Sequence, residues 1–494
     1  MRKTPGNELA LPVPKPGKGQ QRWLHDALRQ MILRGSLAPG IRLPATRDLS
    51  RQYGLARGTV ASVYEQLAAE GYVAGAVGRG TFVAGELPEN MQAGLRPLWR
   101  AAPQASSLPK SRLGHMLAAS PFPLAALPPA TPFRPAVPDL RAFPTAVWAR
   151  VAAGRLRRSR PDWLQDGDPL GYVPLRREIA GYAGSARGIA CSFGQVAIFT
   201  SVQQALDVCS RLLLEPGECA WIEEPGYPGA RRVLAAAGAD LVHIPVDNDG
   251  LVVAHGIRAA PNARLAYVTP ARQSPTGVPL SAARRQALLE WAHRAGAALV
   301  EDDYDGEYRF SGRPLAALKS IDHDDRVIFL GSFSKLLFPA LRIAYAVLPA
   351  SLVEAVTGAL SLVTRQTSSV LQVLLHEFIA DGHFGRHIRR MRLKYRERAE
   401  ALQSAAKRYW QGALLLPEIE AGLDVAARLT PDGNDRALAK AGAAQRLELR
   451  PLSAYAARES QAITGFLLGF APFSPEEIDA GARQVARLLE HVPC

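Results

Sequence analysis

The chain has 494 residues, too many for one ordinary core, and its 48% hydrophobic and 21% charged content is that of a soluble globular protein with two or three domains. No run of about 18 apolar residues occurs, which excludes an evident membrane span. The net charge of +14 suits a polyanionic partner without specifying a fold.

The stretch Met1–Gly17 is broken by Pro5, Pro12, Pro14 and Pro16 and has no apolar core, so no signal peptide is expected. The cysteines, Cys191, Cys209, Cys219 and Cys494, are scattered. They form no C-x-x-C pair and have no histidine cluster nearby, which argues for a reducing, cytoplasmic setting and against a metal site.

The first helix is expected over about Gln21–Leu33, with Leu24, Ala27, Leu28, Met31 and Ile32 on one face. Pro39-Gly40 turns the chain, and Thr46 is read as the N-cap of a short helix reaching Tyr53. Gly54 ends that helix. Another starts near Arg57 and carries Val60, Val63, Tyr64 and Leu67 on one side. Two short helices around a glycine turn make a helix-turn-helix. Val73 and Thr81-Phe82-Val83 flank a glycine-rich turn with Arg79 at its tip, a β wing. A recognition helix presents its N-terminal residues to the bases. Arg57, Gly58 and Thr59 hold that place. Arg47 is suited to a phosphate, and Arg79 to the minor groove or backbone. The order Leu43-Pro44-Ala45-Thr46-Arg47-Asp48-Leu49, Arg57-Gly58-Thr59-Val60, Glu70-Gly71-Tyr72 and Gly78-Arg79-Gly80-Thr81-Phe82-Val83 resembles the GntR-type winged helix. Arg47, Arg57, Thr59 and Arg79 match DNA-contact positions of that family.

Residues 86–138 are rich in proline, from Pro88 to Pro138, and read as a semi-extended linker in which a continuous helix or strand is not expected. Leu98, Trp99 and Phe122 within it are candidates to dock on a neighbouring domain.

Beyond the linker, apolar runs alternate with amphipathic ones. Strands are expected at Val196–Phe199, Cys219–Ile222, Leu241–Ile244, Leu265–Val268, Ala298–Val300 and Val327–Leu330. Helices are expected at Leu206–Leu214, Ala230–Ala237 and Leu280–Ala295. The alternation predicts an α/β domain with a mostly parallel sheet, whose ligands bind beyond the strand carboxyl ends. Polar clusters fall there. Ser332-Phe333-Ser334-Lys335 offers a lysine able to capture an aldehyde cofactor, and Arg342 lies close enough in sequence to meet a phosphate with the two serines. Glu301-Asp302-Asp303-Tyr304-Asp305 offers a carboxylate for a protonated pyridine nitrogen and a phenol for a ring oxygen. Tyr227, in Glu224–Gly229, can pack on an aromatic ring.

In order, Gly167–Tyr172, Gln203-Gln204-Ala205-Leu206, Glu224–Gly229, Pro275-Thr276-Gly277, Glu301–Asp305 and Ser332–Arg342 resemble the fold-type I aminotransferase domain of MocR-type regulators, which join it through a long linker to a GntR winged helix. The resemblance implies a winged helix-turn-helix at residues 18–85 (mainly α with a β wing) and a linker at 86–138. It also implies a pyridoxal 5'-phosphate (PLP) dependent α/β aminotransferase-like domain at 139–494, with a large part near 165–348 and a smaller α+β part near 349–494. Lys335 would hold PLP as an internal aldimine, Asp302 would pair with the ring nitrogen and Tyr304 with the ring oxygen. Tyr227 would line the pocket. Arg342, Ser332, Ser334 and the stretch Thr200-Ser201-Val202 would hold the phosphate. Arg450 matches an effector-carboxylate position, and Arg272, which stands where the family commonly has histidine, is the second residue expected to bind the effector. Thr200–Gln204 replaces the usual Ser-Gly-Ser-Gln-Gln, and Ser274 stands where aminotransferases carry asparagine.

The implied protein is a homodimeric transcriptional regulator that binds an operator in double-stranded DNA and senses an amino compound by aldimine exchange. Partial transamination is compatible with it. A working aminotransferase tethered to DNA, and a regulator that no longer holds PLP, stay open at this stage.

Overall fold

A computed structural model describes residues 9–11, 19–76, 80–85, 110–119, 131–158, 163, 165–312, 316–458 and 462–491. Arg79, Leu98, Trp99, Phe122 and Cys494 lie outside the described residues. The chain divides into two compact units, Met1–Lys110 and Ser111–Cys494.

In the first unit, helices Gln20–Leu33, Thr46–Tyr53 and Arg57–Ala69 precede strands β1 (Val73–Ala76) and β2 (Gly80–Val83), paired antiparallel with Val73 opposite Val83. Leu24, Leu28, Leu49, Val60, Val63 and Leu67 have no measurable exposure and form the core. Their three- and four-residue spacing is the apolar stripe that makes each helix bury one face. Gly54 closes the second helix in the left-handed region, at φ 64°. The N-cap of that helix is Ala45, not Thr46. Ala45 is extended, at φ −63° and ψ 147°, and its carbonyl takes Asp48 N–H at 2.9 Å, so Thr46 is already helical and its side chain caps nothing.

A helix also forms inside the proline-rich stretch, at Arg112–Ala119. Prolines stop at Pro109 and resume at Pro121, leaving a run of leucine, methionine and alanine free to coil. Ser111 Oγ accepts from Gly114 N–H at 3.0 Å at its start.

The second unit is built on an eight-stranded sheet. Its strands are β3 (Val196–Phe199), β4 (Cys219–Glu224), β5 (Asp240–Asp247), β6 (Gly250–Leu251), β7 (Leu265–Val268), β8 (Ala298–Asp303), β9 (Val327–Ser332) and β10 (Ala344–Val347), in spatial order β3-β10-β9-β8-β7-β4-β5-β6. The run from β9 through β8, β7 and β4 to β5 is parallel, while β10 lies antiparallel to both its neighbours. β3, β7 and β10 are buried along their whole length, as strands covered by helices on both faces must be. The carboxyl ends of β3, β4, β7, β8 and β9 therefore open on one edge and carry Thr200, Glu224, Thr269, Asp303 and Ser332 there.

A smaller α+β subdomain follows. Strands β11 (Leu414–Leu415), β12 (Asp424–Leu429), β13 (Arg450–Pro451) and β14 (Gly465–Gly469) form an antiparallel sheet in the order β11-β12-β14-β13. Helices His383–Tyr409 and Pro475–His491 pack together behind it, with Trp410 Nε1 bonded to the Ala482 carbonyl at 3.0 Å. Among the described residues, no helix is long and apolar enough to cross a membrane.

Candidate functional site

Two sites emerge, one in each unit. In the first, Arg57 and Gly58 are exposed and Thr59 is half-buried, in the opening turn of helix Arg57–Ala69. That helix has no side-chain cap, so its first N–H groups face outward with the positive end of the helix dipole. Tyr64 Oη donates to the Pro44 carbonyl at 2.9 Å and fixes this helix against the start of the preceding one. The Arg47 side chain is 74% exposed and pairs with Asp48 at 3.6 Å.

In the second unit Thr200, Tyr227, Arg272, Asp302, Tyr304, Ser332, Ser334 and Lys335 fall at or just beyond the carboxyl ends of strands of the large sheet. Thr200 closes β3. Its N–H and Oγ1 both donate to Gln204 Oε1, at 2.7 and 2.9 Å. Ser201 caps the twelve-residue helix Val202–Leu213, its Oγ accepting from Gln204 N–H at 3.1 Å. Thr200, Ser201 and Val202 thus frame a helix N-terminus, the usual seat of a phosphate. Ser332, Ser334 and Lys335 are half-buried on the end of β9 and the single turn Phe333–Leu336. Arg342 is exposed at φ 52°, with no ion pair among the described residues.

Lys335 Nζ donates to the Ala136 carbonyl at 2.8 Å. Removal from water lowers its pKa from the ordinary lysine value, against the pull of Asp424, Asp305 and Asp302. Asp302 is buried at the end of β8. Its Oδ2 accepts from Tyr267 Oη at 2.6 Å, while its Oδ1 is buried with no hydrogen-bond partner. Burial pushes its pKa up to about 6, against the Tyr267 bond.

Tyr304 Oη accepts from Arg272 Nη1 at 3.0 Å. The Arg272 guanidinium is buried and committed. Nη1 also reaches Asp305 Oδ2 at 3.0 Å, and Nη2 reaches Asp424 Oδ1 at 2.9 Å and the Asp424 carbonyl. Burial pushes Asp305 up to about 7, against the pull of Arg272. Arg450 is half-buried in β13 opposite Leu467, bonds the Tyr455 side chain and acts electrostatically on Lys335 and on half-buried Tyr227.

The sequence reading missed Tyr267, Asp424 and Ala136, and it placed Gln204 in the loop motif without its bonds to Thr200. It also missed Glu223, buried beneath the edge and bonded to Thr269 Oγ1 at 2.6 Å and Gln273 Nε2 at 3.2 Å. Alternation along β8 places Glu301 and Asp303 on one face and Asp302 on the other, but nothing in the sequence marks Tyr267 as its partner.

The donor set fits PLP. A buried acid oxygen without a partner suits a pyridinium N–H, a half-buried lysine of lowered basicity suits an aldehyde, and an open helix N-terminus with hydroxyls suits a phosphate. Among the described residues, no group of three or more His, Cys, Asp or Glu side chains is arranged to hold a metal ion.

Comparison with known proteins agrees in both units. The family model for gntR bacterial regulatory proteins matches residues 21–83, and that for class I and II aminotransferases matches 139–417. The chain is 37% identical over 461 residues to the probable rhizopine catabolism regulatory protein MocR of Rhizobium meliloti, covering 93% of this chain and 92% of the relative. It is 32% identical over 384 residues to the pyridoxine biosynthesis transcriptional regulator PdxR of Corynebacterium glutamicum, covering 77% of each. Among solved structures it resembles a kynurenine aminotransferase of Pyrococcus horikoshii. The TM-score is 0.68 and the identity 25%, over 80% of this chain and 98% of that one.

Proposed function

Because the chain belongs to the MocR-type regulators of the GntR family, with a class I and II aminotransferase domain whose cofactor is PLP, we propose that it senses a small amino compound at Lys335 and alters its grip on an operator accordingly. DNA binding is assigned to residues 18–85 and cofactor binding to 139–494, joined by 86–138.

PLP, when bound, supplies an aldehyde open to primary amines and an electron-drawing ring. Lys335 is the residue that anchors it. Asp302 Oδ1 would receive the ring N–H, Tyr304, bonded to Arg272, would pair with the ring oxygen, and Tyr227 would line the pocket. Arg342, Ser332, Ser334 and the Thr200–Val202 turn would hold the phosphate. Arg450, beside Tyr455, takes the carboxylate of an amino compound that competes with Lys335. An effector shifts DNA affinity only as far as it prefers one arrangement of the protein. The reading extends to a cytoplasmic homodimer on paired half-sites, supported by the aminotransferase fold and the exposed helix end at Arg57.

The observation that carries the cofactor reading is the buried, unpartnered Asp302 Oδ1 at a strand end near an amine of lowered basicity. The test is a spectrum of the purified protein with PLP, titrated with amino acids and amines while DNA binding is followed by anisotropy. A visible band that shifts with one amine, together with a change in DNA affinity, supports the reading. A band retained in Lys335→Ala refutes it. Sustained keto-acid-dependent turnover with no effect of amines on DNA binding would make the protein a tethered transaminase instead.

A further inference from the structure

The segment Thr131–Asp139, last in the proline-rich stretch, is stitched to the small subdomain. Phe133 is buried and forms an isolated bridge with Gly469 of β14. Glu448 N–H donates to the Pro132 carbonyl at 2.7 Å, and the Glu448 carboxylate pairs with Arg134. Asp139 Oδ2 takes Arg398 Nη2 at 2.7 Å. The strap lies flush on the strand: a Cβ on Gly469 would fall 1.9 Å from the Arg134 carbonyl.

At its crest Ala136 sits at φ 60°, a conformation that an alanine keeps only where its surroundings hold it. Both its backbone polar groups are engaged. Its N–H donates to Asp424 Oδ2 at 2.9 Å, and its carbonyl receives Lys335 Nζ at 2.8 Å. The other oxygen of Asp424 takes Arg272 Nη2, and Arg272 Nη1 reaches Tyr304. One carboxylate therefore holds the strap on one side and the arginine behind Tyr304 on the other.

We propose that Asp424 is a positioning residue of the Lys335 site, pinning the Ala136 peptide over the amine and Arg272 against Tyr304, so that the free lysine amine anchors the strap. The regulatory meaning rests on the reading of Lys335 as the cofactor lysine; the anchor itself does not. The amine holds Ala136 while it keeps its own hydrogens. Were the amine to condense with the cofactor's aldehyde, a C=N bond would replace the C=O, the two amine hydrogens would leave with the aldehyde oxygen as water, and the Ala136 carbonyl would lose its donor. An amine that displaces Lys335 returns it to the state in which it grips the strap. Occupancy of the lysine is thereby passed to the last residues of the linker, with no requirement that the effector touch the strap.

The Ala136 amide is itself a readout. Hydrogen exchange of the full-length protein, followed by mass spectrometry on peptides spanning 131–139, should show slow exchange at Ala136 without cofactor and at least tenfold faster exchange with saturating PLP. Cofactor-free Lys335→Met should exchange as fast as the loaded wild type, and Lys335→Arg, which keeps a donor, should stay slow. Asp424→Asn should speed exchange and shift the pH midpoint of the bound cofactor's visible band, with Asp424→Glu restoring both. Equal exchange in cofactor-free wild type, Lys335→Met and Asp424→Asn, all melting as wild type, overturns the proposal. If PLP gives no visible band, the cofactor reading fails, and the Met and Arg variants still decide the anchor.

Discussion

Tyr267→Phe removes one oxygen from the floor of the site and tests the role of Asp302. The hydroxyl donates to Asp302 Oδ2 at 2.6 Å, both groups are buried, and Oδ1 has no other partner. Without it, neither carboxylate oxygen has a hydrogen bond in the cofactor-free site. A hydrogen bond to a charged group contributes about 1.5–3 kcal/mol. At 1.36 kcal/mol per pH unit, the Asp302 pKa should climb by about 1–2 units from its present value near 6. The carboxyl would then be largely protonated at neutral pH and free to change rotamer, a poor partner for a pyridinium. If half to all of the lost energy falls on the cofactor, PLP binding should weaken by about 4- to 160-fold. The assay is titration of cofactor-free protein with PLP by visible absorbance, with Asp302→Ala as the stronger control. Unchanged PLP affinity in Tyr267→Phe would refute the assignment, provided Asp302→Ala does lose the cofactor. If both variants bind normally, Asp302 is not the ring's partner at all.

Arg57→Ala should weaken operator binding by about 1–3 kcal/mol while leaving PLP absorbance intact, since Arg57 is exposed at the helix start. A salt slope that falls by about one would show a phosphate contact rather than a base contact, and unchanged affinity would displace the recognition helix from this segment. Leu67→Ala, at a position with no exposure in the first unit's core, should cost about 2–5 kcal/mol there and abolish DNA binding with the cofactor band retained; loss of both signals would contradict independent units. Glu301 is buried, receives Leu318 and Lys319 N–H groups at 2.7 and 2.9 Å, and is pushed by burial from 4.5 to about 7. An acid whose folded pKa is raised stabilises most below its unfolded pKa and loses that share as pH rises through 7, here up to roughly 3 kcal/mol. Glu301→Gln should therefore flatten the fall in melting temperature between pH 5 and 8, and a slope identical to wild type would contradict the shift.

The parts that were legible in the sequence are those with local causes. The helix stripes of the first unit, Gly54 as a stop and the buried strands of the large sheet all follow from spacing and backbone chemistry over a few residues. Strand ends were underestimated, because β4, β8 and β9 run on into the polar residues of the site and hydrophobicity no longer marks them. β10 was missed as a four-residue run, Ala-Tyr-Ala-Val, without a flanking signal. The helix at Arg112–Ala119 sits in the proline-free gap between Pro109 and Pro121, which the proline content of the region as a whole conceals. Asp424 and Ala136 carry no local mark at all. Asp424 meets Arg272 across 152 positions and Ala136 meets Lys335 across 199. Only the closing of the small subdomain on the large sheet brings them together.

That closing also explains why so many charges can share one buried edge. Asp302, Asp305 and Asp424 face Lys335, Arg272 and Arg450, so the acids and bases around the amine offset one another before any cofactor arrives. A buried charge without a counter-charge is far costlier than a matched pair. On the proposed reading the phosphate would be met elsewhere, by exposed Arg342 and the N-terminus of helix Val202–Leu213, outside this balanced set. On that reading the ring and its aldehyde would enter a set of mutually paired charges, while the phosphate's charge would be answered separately. A change at Asp424 unbalances the first set without touching the second. For that reason it should alter how the lysine behaves while leaving the hold on the phosphate intact.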